Sequence, residues 1–135
     1  FASGPAISAL GVKAVLHGAT TTIGDIAGDD LNAITPETIR RAAEAGDAVA
    51  REILWRAGSY LGIGVANLVT TLSPNRVILG GSVARLGKWL FEPVEAMVRQ
   101  RVRAVPVDDV SIVPAALGGD AGVIGAAIWA AQQVA

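Results

Sequence analysis

Two glycine pairs, each at the end of an apolar run, hold most of the chemistry this sequence offers. Val77-Ile78-Leu79 is consecutive and apolar, as in a strand covered on both faces, and leads directly into Gly80-Gly81-Ser82-Val83. Residues without a Cβ let the backbone turn sharply and let a ligand approach it closely. A second run, Val110-Ser111-Ile112-Val113, is followed by Leu117-Gly118-Gly119-Asp120. Open α/β sheets bind ligands at the carboxyl ends of parallel strands. A helical pattern begins at Ala121, so its free N–H groups and positive dipole end fall beside the second pair and favour an anion. Two such turns at one sheet edge make a nucleotide or phosphate crevice. The bland alternative is a pair of tight strand-to-helix connections.

Other reactive residue types carry less. Asp25, Asp29 and Asp30 fall in a loop-like stretch and read as a solvated acidic surface rather than as acid–base catalysts. His17 is the single histidine and there is no cysteine, which argues against a metal site and leaves no disulfide framework. Arg99, Arg101 and Arg103 suit the end of a helix, where cations are favourable, and form too narrow a face for DNA. Asp120 reads as a cap for the last helix, because a bare carboxylate aimed into a phosphate site would repel its ligand.

The elements that position these residues are mostly legible. Ser3 or Gly4 caps a helix with Pro5 in its first turn, running to Leu16 and ending at Gly18. Ala19 to Ile34 reads as loop. Thr35-Pro36-Glu37 starts a helix that stops near Ala45, and Asp47 caps the longest one, Ala48 to about Leu72. Gly58, Gly62 and Ala66 recur at intervals of four and give that helix a smooth face, against which another backbone can press. Pro74 ends it and Arg76 to Leu79 is the first strand. Leu86 to Phe91 reads as a short helical piece, and Pro93 as the opening of a separate helix, Val94 to Arg103. After the second strand, Ala121 to Val134 is the last helix. Strand, helix, strand, helix implies a parallel pair. Trp55, Trp89 and Trp129 are expected in the core or at an interface, with no base-stacking platform.

The chain has 135 residues, enough for one ordinary domain. At 52% hydrophobic and 17% charged it leans apolar for a soluble domain, and its net charge of −1 gives no general attraction to nucleic acid or to an anionic membrane. The uncharged stretch Ala57 to Leu72 is shorter than the roughly twenty residues that a bilayer requires and reads as a buried helix. A cytoplasmic location fits the lack of cysteine and of a signal-peptide pattern. The chain opens on Phe1, and two strands are too few to stand as a complete layer in water. It is therefore expected to be a single segment, residues 1–135, of a longer protein.

The sequence resembles the carboxyl-terminal part of ROK-family proteins, bacterial sugar kinases and sugar-responsive repressors. The stretches that carry the resemblance are Ala2-Ser3-Gly4-Pro5-Ala6-Ile7, Ala42-Ala43-Glu44-Ala45-Gly46-Asp47, Tyr60-Leu61-Gly62-Ile63-Gly64-Val65-Ala66-Asn67-Leu68, Pro74 with Val77 to Gly81, and Gly119-Asp120-Ala121-Gly122-Val123-Ile124-Gly125-Ala126-Ala127. They occur in the family's order. The resemblance implies an α/β fold: the helix-rich carboxyl-terminal lobe of the actin-like ATPase (ribonuclease H-like) architecture. It implies that Gly80 and Gly81 pack against the adenosine of ATP, that Ser82 and Val83 line the same wall, and that Gly119 and Asp120 border the cleft.

The resemblance also places the phosphate loop, the catalytic aspartate, most sugar contacts and the cysteine-rich zinc motif upstream of this sequence. The segment alone is then expected to be inert, in a parent that uses a sugar and ATP with Mg and forms a homo-oligomer. The leading expectation is a glucokinase-like enzyme. The alternative is a sugar-responsive repressor that would meet DNA through an upstream domain. A non-catalytic assembly module is the third reading.

Overall fold

The computed structural model describes residues 2–103 and 106–134; Phe1, which prompted the expectation of a longer parent, lies outside them. Six α-helices and two strands follow in chain order among these residues. Helix α1 (Gly4–Leu16) begins where Ser3 accepts a hydrogen bond from the Ala6 N–H, with Pro5 in the first turn. Helix α3 (Pro36–Glu44) begins with a reciprocal cap, in which Thr35 and Thr38 each accept from the other's backbone N–H. Thr38 is buried, and its hydroxyl also donates to the Ala33 carbonyl.

The stretch 19–34 is more ordered than its composition suggests. It contains a one-turn helix α2 (Ile23–Ile26) and a 3-10 turn, Leu31–Ala33. The cause is tertiary. Asp47, which caps helix α4 (Ala48–Leu72) at the Ala50 N–H, turns its other carboxylate oxygen to the Thr22 N–H (2.6 Å) and the Thr21 hydroxyl (2.8 Å). One aspartate thus starts two helices far apart in sequence, and Ile23 is driven fully into the core behind them.

The smooth face of α4 meets helix α5 (Lys88–Arg101). A Cβ placed on Gly58 would lie 2.3 Å from Pro93 Cγ, and one on Gly62 would lie 2.6 Å from Met97 Cβ and 2.9 Å from the Val94 carbonyl. Only glycine permits this approach. It also corrects the expected break at Pro93: Leu86 to Phe91 and Val94 onward are not two helices. Pro93 sits inside one continuous helix, in its second turn, where the missing N–H gives up a hydrogen bond to the Trp89 carbonyl, and against that cost its ring is buried in the gap that Gly58 leaves. Leu54, Leu90, Val94 and Val98 close this core; each such side chain contributes about 1.5–3 kcal/mol by leaving water.

Strands β1 (Arg76–Leu79) and β2 (Ser111–Pro114) pair in parallel, with Leu79 opposite Pro114. The second strand starts one residue later than its apolar run, because the Val110 N–H closes a 3-10 turn on Val107. Helix α6 (Ala121–Val134) completes the chain and stands largely clear of the core. Trp55 and Trp129 are 51% and 65% exposed, so the core half of the expectation for them fails; Trp89 is half-buried.

Candidate functional site

The parallel register decides where the glycine turns lie. Leu79 and Pro114 are partners at the carboxyl ends of their strands, and the Ala115 N–H donates to the Leu79 carbonyl at 2.9 Å. Gly80-Gly81 and Gly118-Gly119 therefore leave the sheet at the same edge. The 3-10 turns that follow, Ser82–Leu86 and Gly118–Asp120, touch each other.

Gly81 has φ of +89°, a backbone state that favours glycine, and a Cβ built on it would meet nothing within 4 Å. Gly80 is different: its Cβ would make an ordinary 3.5 Å contact with Ala115. The position that needs glycine for the turn is Gly81, and the space beside it is open.

Ser82 and Val83 line a cavity of about 700 Å³ together with the first turns of α1 and α3. Pro5, Pro36 and Val83 give it apolar surface. Ser8, Ser82 and Thr35 give it hydroxyls, and Glu37 and Arg85 its charges. The Glu37 carboxyl is held below its usual range, first by hydrogen bonding to Arg40, with burial opposing and the charges of Arg40, Arg41 and Arg85 assisting. Arg40 pairs with both Glu37 and Glu44, one turn apart on α3.

Gly80, Gly81, Gly119 and Asp120 do not line that cavity. They lie beside it at the sheet edge, and Gly119 and Asp120 are exposed. Asp120 immediately precedes α6, but its carboxylate makes no capping hydrogen bond among the described residues, contrary to its reading as a cap. The far wall, Thr35-Pro36-Glu37 and Gly4-Pro5, is not legible in the sequence, where these residues read only as helix starts. Their nearness to Ser82 is a long-range contact that no local pattern encodes.

Among the described residues, no three His, Cys, Asp or Glu side chains come together as a metal site, and no helix is long and apolar enough to cross a membrane. The chemistry available at this edge is binding: an open glycine turn, a mixed apolar and hydroxylic cavity, and a helix amino end. A nucleoside fits that character, since it presents a flat apolar base and a hydroxylated ribose.

A helix-rich α/β segment with a parallel strand pair and a glycine turn at each strand end is the form of a lobe of the actin-like fold. The chain belongs to the ROK family, which it matches over residues 1–133. Its backbone superposes on a ROK family glucokinase from Streptomyces griseus, solved in complex with glucose and AMPPNP, with a TM-score of 0.84 at 26% identity, covering 98% of this chain and 43% of that one. It is 32% identical over 105 residues to a glucokinase of Halalkalibacterium halodurans, covering 78% of this chain and 32% of the relative. It is 34% identical over 76 residues to a xylose repressor of Caldicellulosiruptor bescii, covering 56% of this chain and 19% of the relative. The chain thus spans from about a fifth to somewhat under half of the length of these relatives.

Proposed function

We propose that this chain is the nucleotide-side segment of a ROK-type, ATP-dependent sugar kinase of the glucokinase kind. In this reading Gly80 and Gly81 admit the adenosine of ATP, Ser82 and Val83 line its wall, and Gly119 and Asp120 border the cleft from the neighbouring strand. The observation that carries the reading is the convergence of both glycine turns on one sheet edge, beside the cavity that holds Ser82 and Val83. The glucokinase relatives support the choice of reaction.

The chain's residues bind and orient the nucleotide; they do not carry the transfer. Phosphoryl transfer needs a positioned base and a metal-bound triphosphate. In this reading the base, the Mg ligands and most sugar contacts belong to a second lobe, and this chain alone phosphorylates no sugar. Self-association of the whole kinase is part of the same proposal.

The test is made in a two-lobed protein that carries this segment. Ser82→Phe adds a ring at an exposed position on the cavity wall, where the fold has little to lose. It is expected to weaken ATP binding by about tenfold or more in calorimetric titration, with sugar binding little changed. Gly81→Val should do the same, with an added cost from its positive φ. Equal loss of both ligands, or no loss, rejects the assignment. The xylose repressor relative favours a second reading, the effector domain of a sugar-responsive repressor. DNA-binding helices ahead of the first lobe would establish it, and an intact phosphate loop with a catalytic aspartate would exclude it.

A further inference from the structure

A second cleft lies on the opposite kind of surface, between the first half of α4 and the start of α5. It has a volume of about 340 Å³, within the range of small-molecule sites. Arg51, Glu52 and Trp55 line it from α4, and Lys88, Trp89 and Glu92 from α5. It shares no lining residue with the cavity of Ser82 and Val83.

The charges in this cleft are held apart. The Lys88 ammonium lies over the Trp89 ring at 5.2 Å from its centroid, and the Arg51 guanidinium at 5.8 Å. Arg51 is pinned there because its Nε donates to the Ala43 carbonyl at 2.9 Å. Ion pairs among the described residues are those of Arg40, so Glu52 and Glu92 stand unpaired beside two cations. Trp55 is 51% exposed at the same place.

We propose that this cleft binds a neutral polyhydroxylated ring, such as one sugar unit, at a site separate from the nucleotide wall. The cleft carries two charges of each sign, so an anion gains from Arg51 and Lys88 only what Glu52 and Glu92 take back, and a cation the reverse. A purely apolar ligand would strip water from four charged groups and return nothing to them. A ring of hydroxyls escapes all three penalties. Carboxylates only accept and Lys and Arg only donate, whereas a hydroxyl does both and can satisfy either sign. The C–H face of such a ring suits the electron-rich face of the exposed Trp55 indole. The inference does not depend on the nucleotide reading.

The test uses this chain, labelled with nitrogen-15, and methyl β-D-glucopyranoside as the probe. Its three indole N–H signals report on three places. The glycoside is expected to move those of Trp55 and Trp89, saturating in the millimolar range, and to leave Trp129 still. Trp55→Ala, at an exposed position, and Glu92→Gln should each weaken the response by about tenfold, while Gly64→Ala, at an exposed position of α4 outside the cleft, leaves it unchanged. No movement of Trp55 and Trp89, equal movement of Trp129, or an equal response to choline or acetate would overturn the proposal. So would Trp55 and Trp89 signals that shift on dilution alone, since a second copy of the chain would then be the occupant.

Discussion

Asp47 is the residue on which most of the local order converges. Its carboxylate caps α4 and also holds Thr21 and Thr22 at the start of α2. Burial pushes its pKa up, but hydrogen bonds from the Ala50 and Thr22 N–H groups and from both threonine hydroxyls outweigh this, and the net shift is downward. A depressed carboxylate stabilises the fold above the unfolded-state pKa of about 4 and loses that contribution as pH falls through the lower folded value. Asp47→Ala is therefore expected to cost about 1–2 kcal/mol at neutral pH and little in strong acid, as read from urea midpoints across pH. A cost that is the same at every pH would contradict the account. Ser59 offers the opposite case. Its hydroxyl is buried in α4 with no partner among the described residues, so Ser59→Ala should leave stability unchanged or raise it by about 1 kcal/mol in the same assay. The cap of Asp47 was legible from its place before an apolar helix. Its grip on Thr21 and Thr22 was not, because a residue pair so distant in sequence leaves no local pattern.

At the scale of elements, the α4–α5 contact is where sequence and packing agree most closely. The spacing of Gly58, Gly62 and Ala66 marked a face for close approach, and α5 occupies it. Gly62→Ala should destabilise by about 1–3 kcal/mol through overpacking, even though alanine is the better helix former. Gly64 lies on the same helix, where a Cβ would meet nothing within 4 Å. Gly64→Ala should therefore stabilise by about 0.5–1 kcal/mol. If thermal or urea unfolding finds the two alanines alike, the close approach is not what holds the helices together. The same contact explains the element that sequence misplaced. Proline is a local signal for a helix boundary, but the gap at Gly58 rewards Pro93 for staying inside one. The strand pair was legible because its apolar runs are short and end in glycine. The loop-like stretch 19–34 hid a helical turn because Thr, Gly and Asp mask a fold imposed from Asp47.

The whole molecule is unequal at its two ends. Helices α1 to α5 close around a core, and the strand pair lays Val77, Leu79 and Ile112 against it, whereas the outer side of β1 and helix α6 stay open, with Ile78 63% and Trp129 65% exposed. Among the described residues the parallel pair has no third strand, and α6 is uncharged and clear of the core; both are surfaces that other copies of the chain can cover. In sedimentation the chain on its own is expected to self-associate; a stable monomer across concentrations would contradict this. In the proposed reading, nucleotide sits at the sheet edge where both glycine turns emerge. Hydrogen–deuterium exchange on a two-lobed ROK protein carrying this segment, with and without AMPPNP and Mg, tests it directly. The account predicts slowed exchange at Gly80 to Val83 and at Gly118 to Asp120, with none along the Trp55–Trp89 cleft. Protection confined to other parts of the protein, with both turns exchanging as before, would contradict it.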